Sequence, residues 1–125
     1  MGSKYPSLYG DDWDVDSRIR DMDEEGVDVQ LMIPGGIPST DDADLEMEFI
    51  RAQHRYLDDF TGKYPHRLKS LIIASGLRVE ESVNETKKWG RSSWAVGVEP
   101  RLALDQPIDH PDLEPIWRAV EQEGL

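Results

Sequence analysis

The sequence has no cysteine, which excludes disulfide bonds and zinc sites with thiolate ligands. It also lacks any apolar run near the roughly 20 residues that a bilayer-spanning helix needs. Its first residues contain no apolar segment typical of a secretory signal. We therefore expect a cytoplasmic protein with no membrane partner.

Positive charge is scarce: 14 Lys and Arg residues stand against 26 Asp and Glu, for a net charge of −12. Such a chain repels nucleic-acid phosphates, so no nucleic-acid partner is expected. Its 125 residues, 38% of them hydrophobic, are typical of a single globular domain. Residues 1–125 are accordingly taken as one domain, with an irregular segment over 1–14.

Helical and strand patterns alternate along the chain. Helices are predicted from about Asp16 to Gly26 and over about 42–62, 79–89 and 111–123. Strands are predicted over 27–33, 68–74 and 93–98, with a polar loop over 99–109. Strands separated by helical crossovers pair in parallel, which predicts an α/β fold. The expected architecture is part of a (β/α)8 TIM barrel, with about three parallel strands.

The apolar positions predict which helix faces are buried. Ile19 and Met22, with Val15, are expected on the inner face of the first helix. The long second helix has apolar residues at helical spacing, which predict this buried stripe: Leu45, Phe49, Ala52, Tyr56, Leu57 and Phe60.

Three segments, in order, carry the motifs of a known enzyme family. Residues 22–28 read MDEEGVD, similar to a met-asp-x-x-gly-val-asp turn between a first helix and a second strand. Residues 51–68 resemble a long helix followed by a pro-x-arg turn and a third strand. Residues 97–99 and 110–117 resemble a fourth strand and its following helix. Together they resemble the amidohydrolase-related family, in the branch of aminocarboxymuconate-semialdehyde decarboxylase, over nearly all of 15–125.

The resemblance implies a TIM-barrel parent that uses a divalent metal, Zn or Mn. That parent would hydrolyse, or decarboxylate without oxidation, a small cyclic or aromatic carboxylic acid. The family's metal site starts with His-x-His on the first strand, adds histidines from later strands and ends with an aspartate. This chain has none of those segments, and it has His54 where the family often has asparagine. We expect a fragment that is inactive alone and holds no metal.

The three histidines do not have the spacing of a metal site. A catalytic divalent site usually takes three protein ligands, and no two of these histidines are close in sequence. His54 is expected on the surface of the long helix, His66 in a turn before a strand, and His110 as a cap of the last helix.

The carboxyl ends of the strands form the active-site face of a barrel of this type. The residues that lie there are Gly35, Gly36, Ser75, Glu99 and Arg101. Arg101 could bind a substrate carboxylate in a bidentate pair, and Glu99 could orient the substrate or take a proton. The alternative is that Gly35 and Gly36 are turn residues, that Glu99 and Arg101 are solvated loop charges, and that Ser75 has no part in function.

Two other functions fit the same pattern. The chain could be a non-catalytic α/β interaction protein whose open sheet edges pair with a second copy, and bare edges predict self-association. It could also be a small binding protein that holds an anion at the Gly35-Gly36 turn, although the net charge of −12 disfavours anions.

Overall fold

The structure is a computed structural model that describes residues 13–38 and 40–125. The helices along these residues are α1 Val15–Glu25, α2 Ala43–Thr61, α3 Val79–Trp89 and α4 Glu114–Glu123, with a 3₁₀ turn over Pro111–Leu113 before α4. The strands are β1 Gln30–Met32, β2 Leu68–Ser75 and β3 Ala95–Arg101. The predicted alternation of helix and strand is confirmed. The predicted irregular segment 1–14 lies outside the described residues, except for Trp13 in a turn and Asp14 at the start of α1.

The three strands form one parallel sheet in the order β1-β2-β3. Gln30 pairs with Leu68 and Met32 with Ser70, while Ser75 pairs with Arg101 at the opposite end of β2. A helix connects each strand to the next, as parallel pairing requires. The chain therefore has an α/β fold, as predicted.

Local sequence signals set the ends of α1. The Asp14 carboxylate accepts the Ser17 N–H at 3.0 Å and so caps the first turn. Gly26 takes the left-handed conformation with φ of 71°, and its N–H donates to the Asp23 carbonyl. Ile19 and Met22 are buried, so the predicted inner face of α1 is confirmed.

β1 is shorter than the predicted strand over 27–33. Its backbone pairs with β2 only from Gln30 to Met32. The Arg67 side chain donates to the carbonyls of Val27, at 2.9 Å, and of Asp28, so these acceptors are satisfied without a neighbouring strand. Pro34 then ends the segment, because proline cannot donate to a ladder.

β3 runs further than the predicted strand over 93–98. The prediction that Glu99 begins a loop is wrong, because Glu99, Pro100 and Arg101 pair with the last residues of β2. Pro100 explains the error, because a proline cannot donate to a strand ladder and so argues against a strand in the sequence. β3 lies at the edge of the described sheet, where a proline in a strand is tolerated.

The predicted buried stripe of α2 is only partly right. Leu57 and Phe60 are buried, but Leu45, Phe49 and Tyr56 are 46%, 38% and 49% exposed, and Ala52 is also exposed. The buried residues of α2 are Glu46, Met47, Ile50, His54, Leu57, Phe60 and Thr61. Helical spacing fits both faces, so periodicity alone could not choose between them.

The core lies between the sheet and the helices. Met47 and Ile50 of α2 pack on Ile73 of β2. Trp94, fully buried just before β3, packs with Leu57 and Ile72. Within residues 13–38 and 40–125, no helix is long and apolar enough to cross a membrane.

Candidate functional site

The carboxyl ends of the three parallel strands lie at one edge of the sheet, as in any parallel α/β arrangement. A cleft of about 710 Å³ opens beside this edge. Its lining residues come from the start of α2, the end of β3 and the loops nearby: Thr40, Asp41, Glu46, Leu77, Glu99, Pro100, Arg101, Leu102, Ala103 and Leu104. The sequence-predicted pair Glu99 and Arg101 thus lies in this cleft.

Arg101, the last residue of β3, is held in place by a buried acid. Its Nε donates to the Glu46 carboxylate at 3.3 Å. Glu46 lies in the first turn of α2 and is only 6% exposed, whereas the Arg101 side chain is 29% exposed. A guanidinium has five N–H donors. Glu46 therefore fixes the orientation of the Arg101 guanidinium from one side. The cleft leaves room for a second acidic group on the other N–H donors.

Glu99 lies two residues before Arg101, so both side chains leave β3 on the same face. Its Oε2 is buried and has no hydrogen-bond partner among the described residues. A buried polar atom without a hydrogen-bond partner lowers the free energy of unfolding by about 1–3 kcal/mol. A ligand hydroxyl that donated a hydrogen bond to this oxygen would remove the cost.

Ser75 ends β2 but does not line the cleft. Its side-chain oxygen accepts the Leu77 N–H at 3.2 Å, and its own N–H donates to Ser82 Oγ at 2.8 Å. The Ser82 hydroxyl in turn donates to the Ser75 carbonyl at 3.0 Å. These bonds close the turn between β2 and α3, which accounts for Ser75 being fully buried.

Gly35 and Gly36 lie in the exposed loop after β1 and are not among the residues that line the cleft. Gly36 has φ of 78°, a conformation that favours glycine. The structure therefore places the two predicted glycines near the same edge of the sheet as Arg101, but it does not bring them into the cleft. Their predicted role toward an anion stays a prediction.

His54 is the polar residue that the sequence argument placed wrongly. It was predicted on the surface, but it is fully buried between α2, α3 and β2. Its Nδ1 lies 2.7 Å from the Glu85 carboxylate, and its Nε2 accepts the Ile73 N–H at 2.9 Å. Since Nε2 is an acceptor, Nδ1 carries the proton and donates it to Glu85. β1 ends opposite Ser70, so the Ile73 N–H of β2 has no strand neighbour on that side of the described sheet. The His54 imidazole accepts this N–H instead.

Glu85 completes this buried network. The same carboxylate oxygen accepts the Trp89 indole N–H at 2.9 Å. Burial raises the pKa of Glu85, but the hydrogen bonds from His54 and Trp89 together lower that pKa below its ordinary value. The network lies away from the cleft, and its donors and acceptors serve one another. It therefore joins α2, α3 and β2.

The other two histidines lie as predicted. His66 is exposed in the turn before β2. His110 accepts the Asp112 N–H at 3.2 Å through Nδ1 and caps the 3₁₀ turn before α4. Across the part of the chain that the structure describes, no three His, Cys, Asp or Glu side chains are grouped so that they could hold a metal ion.

Sequence reasoning also missed Glu46. It lies 55 residues before Arg101, and no local pattern marks it as a partner. Only the packing of α2 against β2 brings the two together. Comparison with protein-family models, with curated proteins and with solved structures found no match for this chain.

Proposed function

We propose that this chain is part of a metal-dependent (β/α)-barrel enzyme of the amidohydrolase-related type. Its substrate would be a small cyclic or aromatic carboxylic acid, and the reaction would be hydrolysis or nonoxidative decarboxylation. The observation that carries the proposal is the Arg101 guanidinium, oriented by Glu46 at 3.3 Å beside an open cleft at the carboxyl ends of the strands. Its role is to bind the substrate carboxylate.

Charge and geometry both support Arg101 in this role. A guanidinium binds a carboxylate through two parallel N–H bonds, which fixes the orientation of the acid. In a chain of net charge −12, an anion is attracted only where a cation is local and directed. Glu99, on the same face, would accept a hydrogen bond from a hydroxyl of the substrate or take a proton from it.

The divalent metal implied by the family does not fit the residues described. They contain no group of three suitable ligands, so no step through a metal is assigned to them. We therefore expect carboxylate binding without turnover from this chain alone. A cytoplasmic location, expected from the cysteine-free sequence, belongs to the same proposal.

Isothermal titration of the chain with benzoate tests the binding role. We expect benzoate to bind, benzyl alcohol to bind more weakly, and Arg101→Gln to weaken benzoate binding by about tenfold or more, because the charge-assisted pair is lost. Arg91→Gln is the matched control, since Arg91 pairs with Glu123 far from the cleft and its side chain is 85% exposed. Equal benzoate affinity in Arg101→Gln and the unaltered chain would overturn the role of Arg101.

A second candidate function is a self-associating, non-catalytic α/β protein. It is favoured by the free edge of β1, where Val29, Leu31 and Ile33 are 53%, 49% and 63% exposed. Exposed apolar strands at a sheet edge are a common basis for pairing with another chain.

The mass of the native protein, detected in its source cells with an antibody against these residues, separates the two candidates. A species more than about twice the 14.3 kDa of this chain under denaturing conditions would support the barrel enzyme. A species at 14.3 kDa would favour the self-associating protein.

A further inference from the structure

Helix α2 has a second apolar face that is exposed, and Tyr56 at its end stacks on the core residue Phe60, with the ring centroids 5.4 Å apart. Leu45, Phe49, Ala52 and Tyr56 are all exposed, and we call these four residues the outer seam. Leu45 and Tyr56 retain 46% and 49% of their surface, and Phe49 retains 38%. A helix that is apolar on two faces normally packs against two partners. The sheet is the first of them.

The spacing of the outer seam matches that of a helix-packing interface. Its residues follow one another at intervals of four, three and four, which is the a/d pattern of a two-helix coiled coil. Residues on one face of any helix share this period, so the spacing shows that the four side chains line up along α2. Such a line of apolar side chains fits a second helix, and the charges beside it decide which helix that is.

We propose that two copies of this chain associate by packing their α2 helices antiparallel along the outer seam, about a twofold axis at its centre. This arrangement sets Phe49 against Ala52 of the second copy, and Leu45 against Tyr56 of the second copy. Large residues then face small ones in the middle of the contact, which lets the two helices approach closely. A parallel arrangement would instead oppose Phe49 to Phe49 and leave a gap at Ala52.

Charges beside the outer seam favour the same arrangement. In an antiparallel pair, Glu48 lies along the flank next to Arg55 of the second copy, and the twofold axis repeats the contact. Arg55 is exposed and forms no ion pair with any described residue. Glu48 accepts a hydrogen bond from Arg51 of its own helix, and 65% of its side chain is exposed. It therefore retains surface for a second cation.

The area of the interface and the net charge of the two copies together set the expected affinity of the dimer. A single helix pair buries less than the roughly 1,200–2,000 Å² of a standard stable interface. The net charge of −12 on each copy also opposes close approach. We therefore expect a reversible dimer that forms at micromolar or higher concentration, rather than an obligate one.

The outer seam is the surface through which the second candidate function, self-association, would act, and the proposal rests on that function. It does not depend on the Arg101 site. Sedimentation equilibrium of the full chain over a range of concentrations tests it. We expect Phe49→Asp to abolish the dimer, and Arg55→Glu to weaken it by about tenfold or more, because Glu48 then meets a like charge twice. Leu104→Asp is the matched control for an exposed apolar residue, since Leu104 is fully exposed outside α2.

Charge reversal provides the decisive variant. Glu48→Arg combined with Arg55→Glu should restore the dimer that Arg55→Glu weakens, because the pairs are re-formed with their signs exchanged. Circular dichroism of each variant confirms that α2 is folded. A chain that stays monomeric at about millimolar concentration would overturn both the outer seam and the second candidate function.

A dimer that persists in Phe49→Asp, or that the double reversal does not restore, would overturn the outer seam alone. The second candidate function would then rest on the β1 edge. Benzoate binding is measured on Arg55→Glu in parallel. It should be unchanged, since Arg55 is exposed and lies nine residues, about 2.5 turns, along α2 from Glu46, the partner of Arg101.

Discussion

Two glutamates, Glu85 and Glu99, differ in how far the protein satisfies them. Glu85 accepts hydrogen bonds from His54 at 2.7 Å and Trp89 at 2.9 Å, inside a network with no opening to the cleft. Glu99 lines the cleft, and its Oε2 has no partner among the described residues. A buried carboxylate whose hydrogen bonds are satisfied therefore stabilises the fold, whereas an unsatisfied carboxylate at a cleft is suited to binding a ligand.

Glu85→Ala should cause the largest loss of stability. It leaves the His54 Nδ1–H and the Trp89 indole N–H buried without an acceptor, and each unsatisfied buried donor costs about 1–3 kcal/mol. Urea denaturation followed by circular dichroism measures the free energy of unfolding. Glu80→Ala, an exposed position on the same helix, is the control. Equal unfolding midpoints for the two variants would show that the network does not stabilise the fold.

Acid should remove a smaller part of the same stabilisation. The pKa of Glu85 is lowered in the folded state, so its contribution is present above its ordinary pKa of 4.5 and is lost as the pH falls below that value. Between about pH 7 and about pH 3.5, the unaltered chain should therefore lose more stability than Glu85→Gln. Urea midpoints at the two pH values measure this difference, and Glu80→Gln should behave like the unaltered chain. A larger acid loss in Glu85→Gln would contradict the direction of the pKa shift.

Glu99→Gln should have the smallest effect. Oε2 of Glu99 has no hydrogen-bond partner among the described residues, so no bond is lost and we expect the free energy of unfolding to change by less than about 1 kcal/mol. The same urea denaturation measures it. A loss as large as that of Glu85→Ala would mean that Glu99 is also a structural residue. The contrast between the two acids would then be wrong.

The sequence predicted those parts of the fold that depend on neighbouring residues. Asp14 and Gly26 mark the ends of α1 by local hydrogen bonding and backbone conformation, so α1 was placed correctly. The expected barrel topology likewise put Glu99 and Arg101 at the carboxyl end of a strand, although both were predicted to lie in the loop that follows it. The parts that failed depend on long-range packing. The buried face of α2, the partner of His54 and the pairing of Pro100 are each decided by β2 or α3, which no local pattern reveals.

The candidate site shows the same division. Arg101 was found because it follows a strand, whereas Glu46 was missed because it comes from another element 55 residues away. The glycines at 35 and 36 were placed at the correct edge of the sheet but not in the cleft. A parallel α/β topology thus predicts which edge carries the candidate site. It does not predict which loops close over that edge.

A titration of the ¹⁵N-labelled chain with benzoate, followed by amide chemical shifts, tests the central claim most directly. We predict that the shifts change for Glu99, residues 101–104 and Glu46, which line the cleft, and stay constant for His54 and Glu85. In Arg101→Gln the changes at the cleft should disappear. Shifts confined to Gly35 and Gly36, or none at residues 99–104 at a benzoate concentration of about 10 mM, would contradict a carboxylate site at Arg101.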